Sequence, residues 1–366
     1  MEKRKTLKKI LRETVVPSLL LIFSVLLSVI PGGCRTSIDG VEFLSGDFTI
    51  PQVEEVQVVD ASHLSMLLSK EVSVNRACVK TEENEDDGRI EIDVESAISE
   101  DGHRIDFNLA ENTKVGGLYV LEAELEDSRG NTLTLSVDFK GFNDRVPVMA
   151  FSEIRTGASA SKSQFEFVEL YVLKEGNTSG LSIVSAADGL ERRYQFPAIE
   201  VKKGERIVVH YRNYDKTCVD ETGENLLAAS AEDCSSARDL FMPQNEKSCL
   251  GDKTDVIFLK SDDTKIIYDA FVYLEKGKKT AFDEKYTSVL SELEESGIWT
   301  DANGNAVCSA DSAFDGSQIK SAAHSVNRKS VTSLPCDGSL KSDRSQWYDI
   351  GKKALQTPGK ANSLPQ

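Results

Sequence analysis

With 366 residues, 40% of them hydrophobic, the chain is long enough for two or three domains and apolar enough to bury real cores, which excludes wholesale disorder. The formal net charge is −17, and because residues 1–13 carry six bases against two acids, the remainder stands at about −21. A body this acidic repels phosphate backbones and anionic lipid, which argues against nucleic acid as a partner.

The basic start runs into TVVPSLLLIFSVLLSVI and then PGGC, with no charge over residues 14–33. A basic region, an apolar stretch and small residues before a cleavage point describe a secretory signal. Gly32-Gly33-Cys34 resembles a bacterial lipobox, where the signal is cut before a lipid-modified cysteine, although Pro31 stands where leucine is usual and Ile30 lies one place further back. The expectation is a signal peptide over 1–33, lipidation of Cys34 and a tether over 34–50. Each buried CH₂ of the acyl chains adds roughly 0.8 kcal/mol of membrane binding. The alternative is an uncleaved anchor helix, for which 20 uncharged residues are just long enough; Pro17, Pro31 and the glycine pair count against it. Both readings tether the body to a membrane in the cell envelope, periplasmic or surface-exposed. Arg35 after the modified cysteine favours the outer membrane.

Six further cysteines follow, at 78, 218, 234, 249, 308 and 336. None forms a C-x-x-C pair, so zinc and thioredoxin-like readings fall away. An oxidising compartment makes disulfides among Cys218, Cys234, Cys249, Cys308 and Cys336 a reasonable expectation, with open connectivity; each loop closed is worth roughly 3 kcal/mol.

From Pro51 the pattern becomes period-two alternation, the mark of half-buried strands. Leu64/Met66/Leu68, Ile90/Ile92/Val94, Ile105/Phe107/Leu109, Tyr119/Leu121/Ala123/Leu125 and Leu133/Leu135/Val137/Phe139 are separated by turn signals at 86–88, 100–102 and 127–131. The pattern, with its SRGNTL turn before a strand, is similar to a bacterial Ig-like domain, here over 51–146. GFNDRVP at 141–147 reads as a linker, because proline cannot donate to a central ladder.

The second domain, 147–366, opens with FSEIRTG and FEFVELYVL. LSIVSAADG, RRYQFPA, RIVVHY, DVIFLKSDD, KIIYDAFVY, SVNRKS, DRSQWYD and TPGKAN follow in order. This ordered set resembles the lamin tail domain family over about 148–212, 253–275 and 324–362. The resemblance implies an Ig-like sandwich without a catalytic centre of its own. The departures are insertions at about 212–252 and 276–323. Within the second, Phe282, Tyr286, Val289, Leu290 and Leu293 recur at helical spacing, with Thr280 and Asp283 as a capping box. The fold class expected is therefore all-β, two β-sandwich (Ig-like) domains in tandem, the second with helix- and loop-containing insertions.

The common catalytic constellations are missing. There is no G-x-S-x-G elbow, no H-E-x-x-H, no Walker loop, and histidines 63, 103, 210 and 324 are isolated. His210, in an apolar strand, reads as a hydrogen-bonded core or edge residue. In EENEDDG at 82–88 the twelfth position counted from Glu83 is Val94 rather than a carboxylate, and in DANGN at 301–305 the sixth and twelfth positions are Ala306 and Ser312, so neither is an EF-hand loop and no metal site is expected. The acids Glu153, Glu166 and Glu169 beside Arg155 are the one cluster with catalytic appearance. Alternation puts Glu169 among aromatics on a strand apolar on both faces, while Glu166 opens that strand and is expected to be solvated. A buried carboxylate needs a partner, and Arg155 or a backbone amide are the candidates for Glu169. The cluster Lys276, Lys278 and Lys279 reads as a solvated turn.

The function these features imply is that of a membrane-anchored envelope lipoprotein with a non-catalytic binding, tethering or scaffolding role. Its partner would be a protein or glycan, and it would need no cofactor beyond the covalent lipid on Cys34. The competing reading is a metal-dependent envelope hydrolase or nuclease, or a nuclease-associated nucleic-acid-binding protein, using acids of the insertions.

Overall fold

The computed structural model describes residues 35–37, 40–42, 49–81, 90–158, 165–187, 192–243 and 250–363. The signal, Cys34, Cys249 and the acidic loop 82–88 lie outside the described residues. The chain forms two compact units. In the first, residues 1–50 with 129–131, the described structure is an antiparallel pair, β1 (Arg35–Ser37) and β2 (Gly40–Glu42). The second unit takes in 51–128 and 132–366, and is built on two hydrophobic cores.

The chain is all-β. Around the smaller core run β3 (Val53–Val58), β4 (His63–Leu68), β5 (Val72–Thr81), β6 (Glu91–Ile98), β7 (Arg104–Leu109), β8 (Leu118–Asp127) and β9 (Thr132–Lys140). They form one sheet in the order β3-β4-β7-β6-β5-β8-β9, every pair antiparallel. Two separate sheets were expected here; instead a single sheet wraps one core made of Leu64, Met66, Ile105, Phe107, Leu121 and Leu125. β5 was missed because its alternation breaks. A bulge between Val74 and Arg76 shifts the register, so Val72 and Val74 are followed in phase by Ala77 and Val79 rather than by Arg76 and Cys78.

The larger core lies between two sheets. In chain order the strands are β10 (Val148–Arg155), β11 (Phe167–Lys174), β12 (Gly176–Asn177), β13 (Leu181–Ser185), β14 (Arg192–Gln195), β15 (Glu200–Val201) and β16 (Arg206–His210). They continue with β17 (Arg238–Phe241), β18 (Asp255–Ser261), β19 (Ile267–Leu274), β20 (Trp299–Thr300), β21 (Phe314–Asp315), β22 (Ser325–Arg328), β23 (Ser342–Asp343) and β24 (Trp347–Ile350). One sheet has the order β17-β16-β11-β10-β22-β24 and the other β14-β13-β18-β19-β21; β12 pairs with β15 and β20 with β23. β11, apolar on both faces, is central as expected, buried along most of its length between β16 and β10.

Both insertions contribute to this body. The first supplies β17, which extends the sheet in parallel with β16. The second supplies helix α1 (Thr287–Ser296), packed through Leu293, and β21, which pairs in parallel with β19. Gly297 ends α1 in the left-handed region, its amide reaching the Leu293 and Glu294 carbonyls. The capping box does not form: Asp283 makes no cap bond and instead pairs with Lys279 at 2.6 Å.

Candidate functional site

Two of the acids that looked catalytic, Glu153 and Glu169, are committed to holding the segment 356–362. Glu153, Glu166 and Glu169 are all fully buried, which corrects the expectation of a solvated Glu166. The Glu166 carbonyl accepts from the Tyr211 amide, so the ladder continues past the start of β11 and carries this residue inside. Glu153 accepts from Ser325 Oγ at 2.5 Å and from the Thr357 amide and hydroxyl at 2.9 Å each. Glu169 accepts from Arg206 Nη1 and, at 2.6 Å, from the Gly359 amide. Asn362 donates to the Ser152 and Arg328 carbonyls at 2.9 Å. Burial pushes both carboxyls up in pKa, Glu169 to about 7 even with Arg206 beside it.

One of the two partners expected for Glu169, a backbone amide, is present; the other, Arg155, is not. Arg155 lies opposite Phe167 in the β10–β11 register, and its guanidinium turns onto the Phe165 carbonyl and over the Phe167 ring at 4.9 Å. Burial lowers its pKa to about 10. The arginine that does reach Glu169 was legible in principle. Arg206 faces Tyr171 across β11 and β16, the diagonal neighbour of Glu169 on the same face.

Two more buried charge clusters are structural. Arg328 and Asp269, both fully buried, meet at 2.5 Å and join β22 of one sheet to β19 of the other. His210 sits between Asp239, 2.8 Å from Nε2, and Asp233, 3.2 Å from Nδ1 but off the line of a hydrogen bond, and stacks on Phe241. Burial alone would lower the imidazole pKa, but the two carboxylates outweigh it and raise it to about 9. His210 is thus the core histidine expected, carrying a charge that ties β16 to the first insertion.

The remaining expected residues do not gather into a site. Cys218, Cys234, Cys308 and Cys336 are free thiols, so no disulfide forms among the described residues. Cys308 is buried in the main core while Cys336 is exposed, and Cys218 and Cys234 pack as apolar groups around Phe241. Burial raises the thiol pKa of Cys234 and Cys308 to about 12. In DANGN, the Asp301 carboxylate is taken up by the amides of Asn303 and Asn305 and the Asn305 side chain. Among the described residues no group of three or more His, Cys, Asp or Glu side chains is arranged to hold a metal ion. Lys278 and Lys279 of the basic cluster pair with Glu275 and Asp283.

What the fold does form is a cleft of about 590 Å³ between the two cores, within the size range of ligand pockets. Its apolar floor includes Val56, Val58, Tyr119, Phe139, Phe142 and Leu181, and its polar rim includes Glu55, Asp138, Gln195, Asp262 and Asp263. The linker that borders it is bonded to the larger body. Asn143 donates to the Asn177 and Ser179 carbonyls at 2.7 and 2.9 Å, and Arg145 forks onto Glu200 at 2.7 and 2.9 Å. Gly176 is required there, because a Cβ would lie 2.0 Å from the Arg145 carbonyl oxygen.

A family model described as TP_1001_2nd, protein second domain, matches residues 147–349, more than half of the chain. The chain belongs to this second-domain family. The family segment begins at the end of the linker and supplies one wall of the cleft, with the smaller body supplying the other. A relative from Treponema pallidum (strain Nichols), described as an uncharacterized protein, is 31% identical over 173 residues, 46% of this chain and 43% of that protein. The chain thus spans less than half the length of that relative. Among solved structures, the N-terminal part of the bacterial S-layer protein SbsC is similar at a TM-score of 0.24 and 14% identity, over 62% of this chain and 44% of that one. A DUF4785 family protein from Legionella pneumophila is similar at a TM-score of 0.21 and 11% identity, over 62% and 57%. Likeness at that level carries no argument about role.

Proposed function

We propose that this protein is a lipid-anchored, non-catalytic binding or tethering protein of the bacterial cell envelope, which takes its partner in the cleft between the two cores. The observation that carries this reading is the fate of the acids. Glu153 and Glu169 spend their oxygens on Ser325, Thr357, Arg206 and Gly359, where catalysis would need them turned to a substrate or an activated water. The cleft, with its apolar floor and polar rim, has the make-up of a recognition surface. The order of strands in the family segment supports kinship with lamin tail domains. The basic and apolar leader ending in Gly32-Gly33-Cys34 supports the anchor. Among the described residues no helix is long and apolar enough to cross a membrane.

The test uses the full chain. Labelled palmitate incorporates into the wild type and is lost in Cys34→Ala; incorporation into that variant removes the anchor. The purified chain is retained on envelope fragments, and a Leu118→Glu, Asp263→Ala double variant, altered only at exposed positions of the cleft, is retained less. Divalent-metal-dependent cleavage of nucleic acid or cell-wall polymer, abolished by acid-to-amide changes, would overturn the non-catalytic reading.

A further inference from the structure

The sheet around the smaller core is open at a seam, and the seam lies in the cleft. β3 pairs only with β4 and β9 only with β8 among the described residues, so these are the two edges of the sheet. Residues 55–58 of β3 and 137–140 of β9 both line the cleft. Their inward rows are also incompletely covered. Val53, Val56 and Val58 of β3 and Leu133, Leu135, Val137 and Phe139 of β9 are half-buried, whereas the corresponding rows of β4, β7 and β8 are buried.

Parity explains why the edges do not close on each other. Six successive antiparallel pairings leave β3 and β9 running in the same direction. Direct pairing would put a parallel contact into an otherwise antiparallel sheet, which is less stable per residue. One further strand, antiparallel to both, would pair each edge and cover the half-buried rows. An exposed edge is a ready template for an added strand. Four residues on each edge correspond to about 13 Å of extended chain.

Charge identifies the occupant. Asp262 is neutralised by Arg193, and the lining carries the acids Glu55, Asp138 and Asp263 against the one lining base Lys140, with Lys265 also beside Asp263, which leaves the cleft acidic. From these observations, and resting on the binding role above, we infer that the cleft binds an extended, basic peptide segment of a partner protein, which enters as an eighth strand between β3 and β9.

The probe is a fluorescein-labelled nine-residue peptide of alternating lysine and valine, titrated into the full chain in detergent and followed by anisotropy and by hydrogen exchange. The expected result is saturable binding that weakens with salt, with slowed exchange confined to residues 53–58 and 132–140. The double variant Glu55→Lys, Asp138→Lys, altered only at exposed positions, is expected to bind about tenfold more weakly. The same peptide N-methylated at alternate amides is expected not to bind. Equal binding by a glutamate–valine peptide or by the N-methylated peptide, or no binding by the lysine–valine peptide, overturns the inference. So does full protection of both edges in the peptide-free chain, which would mean the seam is already filled. Chitotetraose protecting the cleft where the basic peptide does not would sink the added strand and leave the binding role standing. Envelope retention left unchanged in the Leu118→Glu, Asp263→Ala variant, tested separately above, is what would sink that role.

Discussion

Replacing Asp269 with alanine strands the Arg328 guanidinium in the core of the family segment. Both side chains are fully buried, and Asp269 also accepts from the Phe151 amide at 2.8 Å and from Ser342. Truncation leaves a buried charge without its counter-ion and a buried amide without its acceptor. The first alone costs about 3–5 kcal/mol. For a body of this size that lowers the unfolding midpoint by roughly 6–20 °C. Both tryptophans of the chain, Trp299 and Trp347, are buried in this core, and Trp347 lies 5.1 Å from the guanidinium, so intrinsic fluorescence reports on the right body. Pairing Asp269→Leu with Arg328→Met removes both charges together and is expected to recover most of the loss, because the pair offsets its own desolvation only in part. The reasoning fails if Asp269→Ala stays within about 1 kcal/mol of the wild type, or if the double variant loses the sum of the two single losses.

Other expectations follow from the same clusters. His210 has its pKa raised to about 9, so its contribution is fully present below its ordinary value near 6.5 and is lost as pH rises through 9. Tryptophan-monitored stability should therefore fall between those limits by on the order of 3 kcal/mol and flatten in His210→Gln; a flat wild-type profile would contradict the buried imidazolium. Glu153→Ala or Glu169→Ala should release the segment 356–362 and speed tryptic cleavage at Lys353 and Lys360, with a stability loss of about 1–3 kcal/mol; unchanged cleavage would show that the acids do not clamp it. Gly176→Ala should expose Arg145 to trypsin by forcing the linker off the family segment, since the new Cβ overlaps the Arg145 carbonyl; an intact linker would mean the backbone can give way.

Local pattern determined a good deal by itself. Period-two alternation located β4, β7, β8 and β9, and the two-sided apolar pattern of FEFVELYVL identified β11 as a central strand, because burial imprints directly on side-chain order. The spacing around Tyr286 and Leu293 located α1. Where the physics is not periodic, the sequence is silent. β5 hid behind a bulge, β17 lay inside an acidic segment because it pairs through backbone, and Glu166 was drawn inside by a ladder bond its side chain does not signal. The partners of Glu153 and Glu169 lie as many as 204 residues away, and only packing brings Thr357 and Gly359 to them. The open seam between β3 and β9 is likewise a property of strand order, which depends on how the sheet wraps its core and not on any one stretch of residues.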